Sequence, residues 1–174
     1  MNLSTILLKK IEKVNENPVN LQCVLECIDL LVAKYPDMIH QRDERQLLPF
    51  QVAIISKMEQ PALKLIAMAT VAEITTEKAG NYTTLSIAAG RGLYKVVQEL
   101  LERGADPNFL DGEDNDIVAL ALACNINNPM TVRCLAERTR LARLKVSKSQ
   151  KQIFFFSFEP KTEQNYFLIS AVRI

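Results

Sequence analysis

His40 is the single histidine of this 174-residue chain, so any catalytic triad or Cys-His pair would have to include it. It lies in "PDMIHQRDE", which predicts a loop between helices and supplies no oriented partner for proton transfer. Cys23 and Cys27 lie one helical turn apart and could join His40 at a metal ion, but a tetrahedral site needs a fourth ligand and none is evident. We predict a structural or solvated histidine, and cysteines that serve as small core residues.

Two stretches have compositions that suggest ligand loops. The segment "AGRGLYK" lacks the glycine spacing and the preceding strand of a phosphate-binding loop, which favours a corner between two helices. The segment "DPNFLDGEDNDI" lacks the glutamate that closes a calcium loop, which favours a solvated acidic tip. We therefore predict no catalytic residue, no cofactor and no metal, and hence a protein that is not an enzyme.

Composition points to an ordinary globular protein. The formal net charge of +1 favours neither nucleic acid nor an acidic substrate, and no apolar run is long enough to span a membrane. The four cysteines fit neither a disulfide framework nor a zinc ribbon. We expect them to be reduced and mostly buried, which predicts a cytoplasmic location.

The chain repeats itself at a step of 35 residues, from Leu30 to Leu65 to Leu100 to Leu135. Two further series keep the same step, and they are Phe50, Leu85 and Leu120, and Ala53, Ala88 and Ala123. Within each period, apolar residues recur at three- and four-residue intervals, which predicts two amphipathic helices. A pair of helices of this length cannot fold alone and must stack on its neighbours.

Turn and cap residues support the same unit. Gly92 and Gly104 are predicted to end helices in a left-handed conformation, and Asn127 stands at the equivalent of Gly92. Other residues are placed to cap or to begin a helix, namely Thr83, Asn128, Pro129, Pro49 and Pro61.

The stretch "TTLSIAAGRGLYKVVQELLERGADPN", residues 83–108, resembles an ankyrin repeat. The resemblance implies an all-α helix-turn-helix solenoid of four repeats at about residues 3–42, 43–77, 78–112 and 113–144, with a terminal inner helix at 3–15. Thr84 and Ser86 replace the proline and histidine of the family's capping network, and Val118 to Ala121 carries none of its polar groups. We expect local stability to decline toward residue 120.

The resemblance also implies that partners contact the loop tips and the exposed side of the inner helices. At the tips these positions are Glu44, Arg45, Leu47, Ala79, Gly80, Tyr82, Asp114, Asn115 and Ile117. On the inner helices they are Ser56, Arg91, Asn125 and Ile126. Tyr82 and Arg91 are the expected anchors, because tyrosine and arginine are enriched at binding hot spots.

Charge is unevenly distributed along the chain. Residues 99–116 hold seven acidic side chains and one arginine, whereas residues 133–151 hold seven basic side chains and one glutamate. Such runs are compatible with solvated surface, or with a basic patch that meets an acidic protein, a phospholipid headgroup or nucleic acid. The patch would comprise Arg138, Arg140, Arg143, Lys145 and Lys148. Nucleic acid is the least favoured of these partners, because no aromatic platform interleaves with the basic residues.

The segment from residue 145 to 174 departs from the repeat pattern. "KQIFFFSFE" and "NYFLISAVRI" predict two strands joined by "PKTEQ", with Phe154, Phe156 and Phe158 on one side. An isolated hairpin is marginal in water, so it would pack on the last helices, form a sheet with a second chain, or belong to a larger domain.

Three functions are compatible with the sequence. The leading hypothesis is a non-catalytic module that binds another protein through a concave surface. The alternative is a targeting or regulatory arm of a larger enzyme or of a secreted bacterial effector, with the catalytic part outside this chain and the host cytosol as location. The third is self-association through the hairpin.

Overall fold

Helices dominate the computed structural model, which describes residues 19–111, 116–139, 153–156 and 169–172. The described α-helices are α1 (Val19–Lys34), α2 (Pro49–Ile55), α3 (Glu59–Met68), α4 (Val71–Thr76), α5 (Thr84–Arg91), α6 (Tyr94–Glu102), α7 (Val118–Ile126) and α8 (Pro129–Ala136), and a 3-10 helix spans Pro36–His40. The expected fold is an all-α solenoid with a terminal hairpin, and its mostly helical character is confirmed. The predicted helix at 3–15 lies outside the described residues.

The predicted starts of three helices are confirmed. Pro49 is the first residue of α2, and the Thr83 hydroxyl accepts the N–H of Ser86 at 3.2 Å at the start of α5. Asn128 caps α8 by accepting the N–H of Thr131 at 3.2 Å, and Pro129 follows as the first helical residue. The prediction for Pro61 is wrong by two residues, because α3 begins at Glu59. Proline is tolerated there because N–H groups of the first turn have no partner inside a helix.

Left-handed residues recur at the repeat step. Gly92 and Asn127 have φ of 72° and 55°, as predicted, and Gly104 has φ of 95°. The unexpected member is Lys57, with φ of 58°, which lies 35 residues before Gly92. The same tight turn therefore joins α2 to α3, α5 to α6 and α7 to α8, although only one of the three has glycine.

The helices pack in two rows. The inner helices α2, α5 and α7 contact one another in that order, and the outer helices α3, α6 and α8 do the same. The alanines Ala53, Ala88 and Ala123 are completely buried in the inner row, where small side chains permit close approach. Fully or almost fully buried partners at the 35-residue step are Phe50, Leu85 and Leu120, and Leu65, Leu100 and Leu135.

The first unit does not keep the 35-residue register. Leu30 is 72% exposed, so its predicted place in the buried series is wrong. The core-facing residues of α1 precede those of α3 by 34 residues and not by 35. Ile28 is thus equivalent to Ala62, and Val32 to Ile66. An offset of one residue rotates a helix face by about 100°, which turns Leu30 toward solvent.

Helix α4 is an element that the repeat pattern did not predict. The Thr70 N–H donates to the Glu73 carboxylate at 2.8 Å, and the Thr70 hydroxyl accepts the Glu73 N–H at 3.3 Å. This reciprocal capping box starts a helix where the pattern predicts a loop. The outer helix α3 consequently ends at an extended residue, Ala69, rather than at a left-handed one.

Short antiparallel strand pairs close the loops between units. Strands β1 (Lys78–Ala79) and β2 (Tyr82–Thr83) enclose a two-residue turn in which Gly80 has φ of 65°. Strands β3 (Leu110–Asp111) and β4 (Asp116–Ile117) form the corresponding pair one unit later.

The C-terminal strands are present as an antiparallel pair, as predicted. Strand β5 (Ile153–Phe156) pairs with β6 (Ile169–Val172), with Phe154 opposite Ala171. The predicted turn "PKTEQ" and Phe158 lie outside the described residues.

Candidate protein-binding surface

The loop before α2 is held in shape by a buried carboxylate. Asp43 is 6% exposed and accepts the backbone N–H groups of Arg45 and Leu47, both at 2.9 Å. The Arg45 guanidinium donates to the other Asp43 oxygen at 3.2 Å. Glu44 and Arg45 are exposed at this tip, as predicted.

Leu47 is a correction to the predicted surface. Its side chain is only 8% exposed, because the hydrogen bond to Asp43 turns the chain inward just before α2. A partner at the tip would therefore meet little of the Leu47 side chain.

The tip between β1 and β2 carries aromatic and cationic side chains. Tyr82 is 43% exposed beside Gly80, and Ala79 is half-buried. The Lys78 ammonium lies 4.7 Å from the ring centroid of Phe109, which is itself 40% exposed. A cation over an aromatic face stabilises the pair while leaving the ring edge accessible.

The inner helices expose their last residues. Arg91 and Asn125 are exposed, Ile126 is 47% exposed and Ser56 is half-buried. The Asn128 amide donates to the Gly92 carbonyl at 2.9 Å, and a β-carbon at Gly92 would lie 3.1 Å from a methyl of Ile126. The ends of α5 and α7 are therefore in direct contact, which brings Arg91 and Ile126 onto one surface.

A buried polar link joins the second unit to the third. The Gln51 side chain accepts the Leu48 N–H at 3.0 Å and donates to the Thr84 hydroxyl at 3.2 Å. Gln51 and Thr84 are each 1% exposed. The two units are thus positioned by a hydrogen bond as well as by apolar packing. Breaking that hydrogen bond is costly, because its buried groups would be left without partners.

The family model of the ankyrin repeat matches residues 80–112. Over these residues the third unit is similar to an ankyrin repeat. The predicted resemblance is confirmed over this span, which holds β2, α5, α6 and β3. Ankyrin repeats are generally protein–protein interaction modules and are generally non-catalytic. A comparison with the curated proteins finds no match.

His40 has a structural partner next to the ankyrin repeat. Its Nδ1 lies 2.8 Å from a carboxylate oxygen of Glu73, which ties the 3-10 helix to α4. Burial raises the pKa of Glu73, but hydrogen bonds from the Thr70 backbone, His40 and the Thr70 hydroxyl outweigh it, and the net pKa is lowered. The neighbouring Arg42 pairs with Glu77 at 2.6 Å.

The cysteines differ in accessibility. All four are free, with Cys124 buried, Cys27 and Cys134 half-buried and Cys23 exposed. The prediction of a core position is therefore wrong for Cys23. Burial raises the pKa of the Cys124 thiol to about 11. No group of three or more metal-ligating side chains occurs within the described ranges.

Several predicted positions have no described side chain. Asp114 and Asn115 lie outside the described residues, as do Arg140, Arg143, Lys145 and Lys148. Ile117 is described only as backbone in β4, where it pairs with Leu110. Of the predicted basic patch, Arg138 is described and is exposed. None of the helices in the described part of the chain is long and apolar enough to cross a membrane.

Proposed function

We propose that the chain is a non-catalytic binding module whose four stacked ankyrin-type units form a solenoid and recognise another protein through the concave side. The units are those predicted at residues 3–42, 43–77, 78–112 and 113–144, followed by the extension at 145–174. The ordered contacts within the inner and outer rows support this arrangement. Its four free cysteines support a cytoplasmic location.

The observation that carries this proposal is the exposure of Tyr82 and Arg91 at the two ends of α5, the first helix of the matched span. Tyr82 stands on a two-residue turn and Arg91 at the end of the helix that follows it. The adjacent tip is fixed in advance by the Asp43 hydrogen bonds. A preformed surface loses less conformational entropy on binding, so more of the contact energy appears as affinity.

The test is affinity capture from cell lysate with the intact chain, followed by titration of the captured protein. Tyr82→Ala/Arg91→Ala is compared with Lys34→Ala/Tyr35→Ala, a matched pair at the exposed end of α1. A hot-spot residue contributes roughly 2 kcal/mol, which corresponds to about 30-fold in Kd.

We expect the first variant to lose at least that factor and the second to bind as the unaltered chain does. Equal affinity of all three proteins would remove Tyr82 and Arg91 from the binding surface. Circular dichroism of each variant checks that the helices are retained.

A further inference from the structure

The edge where inner helices turn into outer helices changes character along the stack. Six residues at the 35-residue step line it, and we call them the turn edge. They are Ser56, Arg91 and Ile126 on one row, and Gln60, Lys95 and Met130 on the other. The second unit thus presents two neutral polar residues, the third two cations and the fourth two apolar residues.

The fourth unit exposes apolar side chains where the other units keep polar ones. Ile126 is 47% exposed and Met130 is 52% exposed. Ile126 packs against Gly92, since a β-carbon added to Gly92 would lie 3.1 Å from an Ile126 methyl carbon. Ile126 therefore lies beside Arg91, the residue that precedes Gly92. Helices α6 and α8 pack together, and Met130 of α8 occupies the position equivalent to Lys95 of α6 at the 35-residue step. The apolar pair and the cationic pair are therefore neighbours on one surface.

The cations of the turn edge are weakly compensated. Among the described residues, no ion pair involves Arg91. The Lys95 side chain is 61% exposed and lies 3.7 Å from the Glu59 carboxylate. Glu99, one turn further along α6, is engaged by Arg103 at 2.6 Å. An approaching anion would therefore meet the Arg91 guanidinium, which no carboxylate of the described residues neutralises, and the exposed Lys95 ammonium, which Glu59 compensates in part.

We propose that the turn edge of the third and fourth units binds a partner segment in which acidic and large apolar side chains alternate. This inference rests on the proposed function and names the chemistry of the partner. Apolar residues of the segment would cover Ile126 and Met130, while carboxylates would meet Arg91 and Lys95. Charge complementarity of this kind steers association and fixes register. It also argues against the chain's own residues 140–152 as the occupant, since their charged side chains are all basic.

The probe is a phage-displayed library of random peptides, selected on the immobilised full chain. We expect the selected peptides to be enriched in Asp and Glu interleaved with Leu, Ile or Phe. Their affinity, measured by fluorescence anisotropy, should fall as salt is raised.

Two variants test the two halves of the turn edge. Arg91→Glu/Lys95→Glu reverses the charge, and we expect it to weaken the acidic peptides about tenfold or more and to select basic ones instead. Ile126→Ser/Met130→Gln restores the polar residues of the second unit, and we expect it to lose the preference for apolar residues. Both changes are at exposed positions, and circular dichroism confirms the fold.

The charge-matched control is Lys34→Glu/Arg133→Glu, which reverses two exposed cations outside both the turn edge and the predicted basic patch. If this control loses the acidic peptides and Arg91→Glu/Lys95→Glu keeps them, the inference is overturned. It is also overturned if the library yields no acidic preference while a partner is still captured through Tyr82. That second outcome leaves the proposed function standing. Loss of every captured partner, by contrast, removes the proposed function itself.

Discussion

Replacing Lys57 with glycine should stabilise the protein. Lys57 occupies the tight turn between α2 and α3 with φ of 58°, a conformation that its equivalents Gly92 and Asn127 adopt more readily. A residue with a β-carbon costs about 1 to 2 kcal/mol in this region. The Lys57 side chain is exposed, so its removal sacrifices little packing.

The net effect is smaller than the strain released. Glycine also gives the unfolded chain more conformational entropy, which lowers the free energy of unfolding by about 0.4 to 1 kcal/mol. A net stabilisation of roughly 0.8 kcal/mol remains. With a urea slope of about 2 kcal/mol per molar, the midpoint should rise by about 0.4 M. The melting temperature should rise by about 2 to 3 °C.

The assay is equilibrium urea unfolding followed by far-ultraviolet circular dichroism. Gly92→Ala is the control, because it makes the reverse change at the equivalent turn. It adds a β-carbon at φ of 72°, 3.1 Å from an Ile126 methyl carbon. We expect that control to lose more than about 1 kcal/mol. A lower midpoint for Lys57→Gly, or no change beside a destabilised Gly92→Ala, would refute the reasoning about backbone strain.

Two further predictions concern buried polar atoms and thiols. The Thr131 hydroxyl is the buried side-chain oxygen without a hydrogen-bond partner among the described residues, so Thr131→Val should stabilise the protein by about 1 kcal/mol in the same urea assay. The control Thr139→Val removes a 2.7 Å bond to the Leu135 carbonyl and should destabilise it by about as much; stabilisation by both changes would contradict the account. In alkylation at about pH 8 read by mass spectrometry, Cys23 should react first and Cys124 last, because Cys124 is buried and its pKa is about 11. Equal labelling rates in the native protein would contradict that order.

The repeat and its turns could be predicted from the sequence because they depend on local chemistry. Thr83, Gly92 and Asn128 each act through their own backbone conformation or through a hydrogen bond within three residues. The 35-residue step also predicted which inner helices pack together, since residues such as Ala88 and Ala123 occupy the same position in successive units.

What could not be predicted depended on contacts between units. The face of α1 is set by its packing on α3, and an offset of one residue was enough to expose Leu30. Helix α4 interrupts the repeat, and its only local signal is the Thr70 and Glu73 capping box. Lys57 shows the opposite case, because the packed helices impose a left-handed turn on a residue that does not favour it.

The candidate surface was predictable in outline. The repeat register correctly placed Tyr82, Arg91 and Ile126 on the outside of the molecule. It failed for Leu47, because the buried carboxylate of Asp43 redirects the loop, and a single sequence gives no sign of that interaction. The turn edge could not be predicted, because it depends on how exposed the equivalent residues of successive units are in the folded chain.

The hydrogen bond between Gln51 and Thr84 means that the units are not interchangeable. In the fourth unit the position of Thr84 is taken by Ala119, whose methyl group can neither accept nor donate. A rearranged chain that set the second unit directly against the fourth would bury the Gln51 amide without an acceptor. The second unit therefore needs a hydrogen-bond acceptor at the position of Thr84 in whichever unit follows it, and a rearrangement that brought the fourth unit there would need a compensating substitution at Ala119.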